Sequence, residues 1–214
     1  MKIHALTLTS PDFDTLHSVA LPMLETGSDV VTVLRLPAET EASFGTSSFN
    51  SICWAKITGI NAALEKMDDG DVLLYTDADV MLFVTAERIV VRALEIMAET
   101  GKAMVAQHDP DTGACAGFMV IRKTPAIVAL FADVNRYRST QYNDQIILNQ
   151  LARGDFALFR PDEVASHGNL VGGLWTGKPF AVPRSMFAFH LNYVVGIESK
   201  MRLAKFVAEA VKNL

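Results

Sequence analysis

The chain is poor in the features that would point to several large classes of protein. Its 214 residues include only two cysteines, Cys53 and Cys115, with no C-x-x-C spacing. That argues against a disulfide framework and a thiolate zinc site, and it suits a reducing compartment. There is no run of Lys and Arg, and the formal net charge is -5. Nucleic acid is therefore not expected as a partner. No stretch approaches the roughly 20 consecutive apolar residues of a membrane helix. The apolar patch behind Lys2 is too short for a signal-peptide core. Repeats, low-complexity tracts and linkers are missing as well. A soluble, cytoplasmic protein without a transmembrane segment is the expectation. What is present is apolar material: half the residues are hydrophobic and 20% are charged. That supports a sizeable core and argues against disorder.

The pattern along the chain alternates. IHALTLT (3–9) reads as a strand, ended by S-P-D. Residues 14–25 have helical spacing, with Pro22 set to kink or stop the helix. DVVTVLR (29–35) is a second strand. Residues 36–51, polar with Gly and Pro, read as a loop, and 54–64 as a helix. D-D-G at 68–70 turns into the buried strand DVLLYTD. A helix over 86–99 is closed by Gly101. A short strand over 102–107 is followed by a loop and a strand over 117–121. Helices over 125–134 and 142–151, a strand in DFALFRP, a Gly-rich stretch HGNLVGGLWTGKPF and a final amphipathic helix complete the chain. Strands alternating with helices predict an α/β sandwich with a mostly parallel sheet. In such sheets ligands bind at the carboxyl ends of the strands.

Asp77-Ala78-Asp79 sits at one of those ends, between V-L-L-Y and V-M-L-F. Two carboxylates this close repel, and a counter-charge is needed to keep both ionised. A divalent cation supplies it: Mg²⁺ and Mn²⁺ take one or two carboxylates together with substrate phosphates. The plain alternative is a surface loop with two solvated aspartates, which the apolar flanks disfavour. A D-x-D phosphatase is a second alternative. It is disfavoured because its aspartate pair belongs on the first strand, and here strands and helices precede the triplet.

Four stretches, LLYTDADV, AGFMVIR, YNDQIILN and FHLNYVVGIESK, occur in the order found in GT-A glycosyltransferases. The chain resembles the retaining nucleotide-diphospho-sugar transferases, similar to the glycogenin-like and the plant xylosyl- and arabinosyltransferase families. The resemblance implies a Rossmann-like GT-A α/β/α sandwich over residues 1–214. The nucleotide-binding half would span about 1–80 and the acceptor and catalytic half about 81–214. It implies a metal-dependent transfer of a sugar, with retention, from a UDP-sugar to an acceptor hydroxyl on a glycan, a lipid-linked or a small molecule.

The same resemblance implies roles for individual residues. Asp77, Asp79 and His190 would hold Mn²⁺ or Mg²⁺, with Asp77 and Ala78 also against the donor. Leu8, Thr9, Ser10 and Asp12 match the place of the base and ribose, and Lys56 a basic donor contact. Asn143 would hold the donor, and Asp144 and Gln145 would stand beside the anomeric carbon. Asn143 is also a good helix cap and Asp144 suits a first turn. Gly196 and Lys200 match, at longer spacing, a pattern whose cation takes charge on the leaving diphosphate. One position departs: Cys115 stands where the family usually has a donor-contacting Asn. A thiol is a weak hydrogen-bond partner. This feature supports the alternative of a nucleotide-sugar binding protein on the same fold. The last helix, with its lysines and arginines, is expected to pack on the domain rather than rest on a membrane.

Overall fold

The computed structural model describes residues 1–36, 47–137, 143–152 and 154–212. In chain order the strands are β1 (Ile3–Thr9), β2 (Val30–Arg35), β3 (Val72–Asp77), β4 (Val80–Leu82), β5 (Met104–Asp109), β6 (Gly113–Arg122), β7 (Phe156–Leu158), β8 (Val164–Ser166) and β9 (Ala188–His190). The helices are α1 (Asp14–Glu25), α2 (Ser47–Lys66), α3 (Ala86–Thr100), α4 (Pro125–Asn135), α5 (Asp144–Leu151), α6 (His167–Leu170) and α7 (Ile197–Lys212).

Six strands form the central sheet in the order β2-β1-β3-β6-β5-β7. β6 runs antiparallel to both its neighbours, and the β1–β2, β1–β3 and β5–β7 pairs are parallel. The sheet is thus largely parallel with one reversed strand. Alternation along β3 divides the core. Leu73 and Tyr75 pack with Trp54, Ile57 and Leu64 of α2, Phe131 of α4 and Leu148 of α5. Val72 and Leu74 pack on the other face with Leu24 of α1 and Ile89, Val90 and Ile96 of α3. Helices on both faces explain why β3 is a continuous apolar run.

A second sheet, β4-β9-β8, stands apart. α7 packs Leu203 and Val207 against Phe189 of β9 and Leu16 of α1.

Several expectations change. α1 runs through Pro22 to Glu25. The proline falls in the last turn, and burial of Leu16, Ala20 and Leu24 offsets the backbone hydrogen bond that it cannot donate. The loop expected over 36–51 ends earlier, because α2 already starts at Ser47; residues 37–46 lie outside those described. The strand expected over 117–121 begins at Gly113. The helix expected from 142 begins at Asp144, with Tyr142 outside the described residues. Gly101 does close α3, in the left-handed conformation at φ +70°.

Candidate metal and nucleotide site

β3 ends at Asp77, and a two-residue turn leads into β4. β4 pairs antiparallel with β9, placing Val80 opposite His190. The backbone N–H of Leu191 donates to the Asp79 carbonyl at 3.0 Å. The small second sheet therefore delivers His190 to the aspartates. One ligand atom from each of Asp77, Asp79 and His190 lies within 4.8 Å of the others. Asp79 and His190 are 8% and 3% exposed, so this is not a solvated acidic loop.

Charges in the site are already partnered. His190 Nε2 is 3.2 Å from Asp79 Oδ1, and Lys200 pairs with Asp79 Oδ2. Burial would lower the His190 pKa, but the Asp79 carboxylate outweighs it and raises the imidazole to about 10. Burial works against the Asp79 charge too; Lys200 and His190 outweigh it and hold its carboxyl well below the usual range. Asp77 accepts from Tyr75 Oη–H at 2.6 Å and from Lys56 Nζ at 3.1 Å. Lys56 Nζ also stands 3.1 Å from Asp144 Oδ2. Burial would drive this lysine neutral, but Asp144 and Asp77 keep its pKa well above the ordinary value. Gly117 of β6 closes the floor: a Cβ there would come within 2.4 Å of His190 Cε1.

The family model of nucleotide-diphospho-sugar transferases matches residues 13–203. The chain belongs to this family. No curated protein matches it in sequence. Solved glycosyltransferases share its fold at low identity. One is involved in glycosylation of the major capsid of PBCV-1; it is 13% identical, with a TM-score of 0.67, and the match covers 96% of this chain and all of that one. The galactosyltransferase LgtC, solved with donor and acceptor sugar analogs, is 14% identical at a TM-score of 0.53, over 96% and 95% of the two chains. The bifunctional WbbM is 11% identical at 0.60, over 99% of this chain and 51% of its own. By family and fold the protein is a glycosyltransferase of the nucleotide-diphospho-sugar type, with a GT-A architecture.

In this transferase the residues singled out from sequence divide into groups. Asp79 pairs with His190 and Lys200, Lys56 joins Asp77 to Asp144, and the two groups meet where Asp77, Asp79 and His190 come within 4.8 Å. Ala78, 7% exposed, bridges the aspartates. Leu8 lies opposite Asp77 across the β1–β3 pair, so Thr9 and Ser10, both buried, follow at the same end of the sheet as Asp77. Asp12 is exposed on the 3-10 turn Pro11–Phe13. That turn reaches the site through Phe13, whose ring centroid is 5.4 Å from Lys200 Nζ. Gly196, at φ +83°, starts the turn into α7 and accepts from the Lys200 N–H at 3.1 Å. A non-glycine residue would be strained there.

The N-D-Q triplet is used by the fold itself. Asn143 Oδ1 accepts from the Ile146 N–H at 3.0 Å as the α5 cap. Gln145 Oε1 accepts from the Ala116 N–H at 3.1 Å, and its Nε2 donates to Thr112 Oγ1 at 2.7 Å. Asp144 is buried against Lys56. Cys115 is 3% exposed, with Sγ 3.7 Å from His190 Nδ1. Sequence reading missed Tyr75, which grips Asp77, and Gln107, which touches His190. Each is the first polar-tipped side chain after an apolar run in its strand, V-L-L before Tyr75 and M-V-A before Gln107, and that was the available signal. Among the described residues no helix is long and apolar enough to cross a membrane.

Proposed function

We propose that the protein transfers a sugar from a nucleotide diphosphate, UDP, to an acceptor hydroxyl with retention at the anomeric carbon. The observation that supports this best is the convergence of Asp77, Asp79 and His190 within 4.8 Å at a strand end. Two carboxylates and one imidazole are a donor set suited to Mn²⁺ or Mg²⁺. A cation held there neutralises the diphosphate of the donor and favours its departure.

The remaining roles belong to the chain's own side chains. Asp77 is oriented by Tyr75 and Lys56, so its oxygens are fixed before any ligand arrives. Lys200, already at Asp79, is the cation that takes up charge growing on the leaving diphosphate. Thr9, Ser10 and Asp12 face the base and ribose. The Lys56–Asp144 pair and Gln145 fix the wall beside the sugar. The two free, buried cysteines suit a reducing, cytoplasmic setting.

The test is incubation with a panel of UDP-sugars and Mn²⁺, with UDP release followed over time. NMR of the anomeric coupling in the product reads the configuration. Metal-dependent UDP release from one donor, with the donor's configuration kept, is expected. Binding of UDP-sugars without release or transfer, even with candidate acceptors supplied, would favour the binding-protein reading to which Cys115 belongs.

A further inference from the structure

His190 has two ring nitrogens, and only one can face a metal. Nε2 is on the Asp79 side. Nδ1 points the other way, into β5 and β6, where Gln107 Oε1 lies 2.8 Å from it. Gln107 is fully buried. Its position follows from an irregularity in the sheet. The β5–β6 register jumps between Ala106, opposite Met119, and Gln107, opposite Cys115. Bulges of this kind re-aim side chains near functional sites. Here the bulge contains Gly117, the residue against which His190 packs. Cys115 Sγ is the other neighbour of Nδ1, but at 3.7 Å a thiol is the weaker partner. The Gln107 amide nitrogen is buried and, among the described residues, has no hydrogen-bond partner. A fully buried glutamine with one end unpaired is costly, so packing alone does not account for it.

We infer that Gln107 is a positioning residue of the metal site: its side-chain oxygen accepts the Nδ1–H of His190, fixes the tautomer, and leaves Nε2 as the ligand nitrogen. This rests on the metal reading above. A ligating histidine commonly hands its other N–H to such an acceptor, and loss of that partner costs about 10- to 100-fold in metal affinity.

The experiment titrates Mn²⁺ in the presence of UDP into wild type, Gln107→Met and Gln107→Glu, with melting temperatures measured alongside. Methionine keeps the volume and removes the acceptor. Glutamate keeps an oxygen acceptor and removes the orphaned amide. The expected result is a loss of about 10-fold or more in Gln107→Met and a change of less than about threefold in Gln107→Glu. Wild-type affinity in a folded Gln107→Met overturns the inference, as does a loss in Gln107→Glu larger than about threefold. If Gln107→Met does not fold, the glutamate variant alone decides by the same limit. Failure of the wild type itself to bind Mn²⁺ with UDP removes the metal reading and the inference with it, an outcome distinct from equal binding by all three proteins.

Discussion

Gly117 and His190 are packed so closely that a side chain at position 117 has no room. A Cβ built there would lie 2.4 Å from His190 Cε1 and 2.7 Å from Asp77 Oδ2. Both neighbours are ligand residues of the proposed metal site, so neither can yield without disturbing it. Gly117→Ala is predicted to cost roughly 1–3 kcal/mol of stability through overpacking. It is also predicted to abolish Mn²⁺-dependent UDP binding. Urea denaturation and calorimetry measure the two. An alanine variant that binds normally would mean that His190 and Asp77 do not act together.

Lys56 joins Asp77 to Asp144 through two contacts of 3.1 Å. Removing one member of a buried ion pair leaves an uncompensated charge and costs about 3–5 kcal/mol. Lys56→Met should therefore destabilise strongly. Adding Asp144→Asn should recover part of the loss, since the stranded carboxylate is gone. Denaturation of the two single variants and the double variant forms a cycle. Strict additivity would contradict the coupling.

Much of this arrangement was legible from residue pattern, and the reasons are local. The apolar run ahead of Asp77 marked a strand end, and the spacing over 86–99 with Gly101 marked α3. The β4 and β9 strands that bring His190 to Asp79 are three residues each. Segments that short have no measurable period, so their pairing was invisible. The early start of α2 was hidden by a serine-rich stretch that reads as loop. Gln107 and Lys56 acquire their partners only through long-range pairing and a register jump, which no local pattern encodes. The N-D-Q motif and its Asn143 cap were legible, but the contacts of Gln145 with Ala116 and Thr112 emerged only from the fold.

Lys200 and a metal ion would share Asp79, because Lys200 already pairs with its Oδ2. Lys200→Gln is predicted to bind Mn²⁺ alone at least as well as wild type. With Mn²⁺ present, its UDP affinity should fall about tenfold, the order of one charged hydrogen bond. Manganese EPR and UDP calorimetry separate the two effects. Unchanged UDP affinity would remove Lys200 from the donor site.

Asp71 anchors the start of β1 from outside the site. Its carboxylate accepts the Lys2 N–H at 2.7 Å and the Asp68 N–H at 3.4 Å, and lies 3.4 Å from His4 Nε2. Chiefly the Lys2 bond lowers its pKa. A carboxyl whose folded pKa is depressed adds stability above its unfolded value of about 4 and loses it as pH falls through the folded value. Asp71→Asn should lower the melting temperature at neutral pH, with the gap to wild type closing as pH falls below the unfolded value of about 4 and through the depressed folded one. A gap that persists at low pH would contradict this.

The central claim is that Asp77, Asp79 and His190 form a platform for a metal-bound nucleotide diphosphate. Calorimetric titration of UDP, with and without Mn²⁺, into wild type, Asp79→Ala and His190→Ala tests it most directly. The account predicts UDP binding that requires Mn²⁺ and is lost in both variants. UDP binding that ignores the metal, or that survives in either variant, would contradict it.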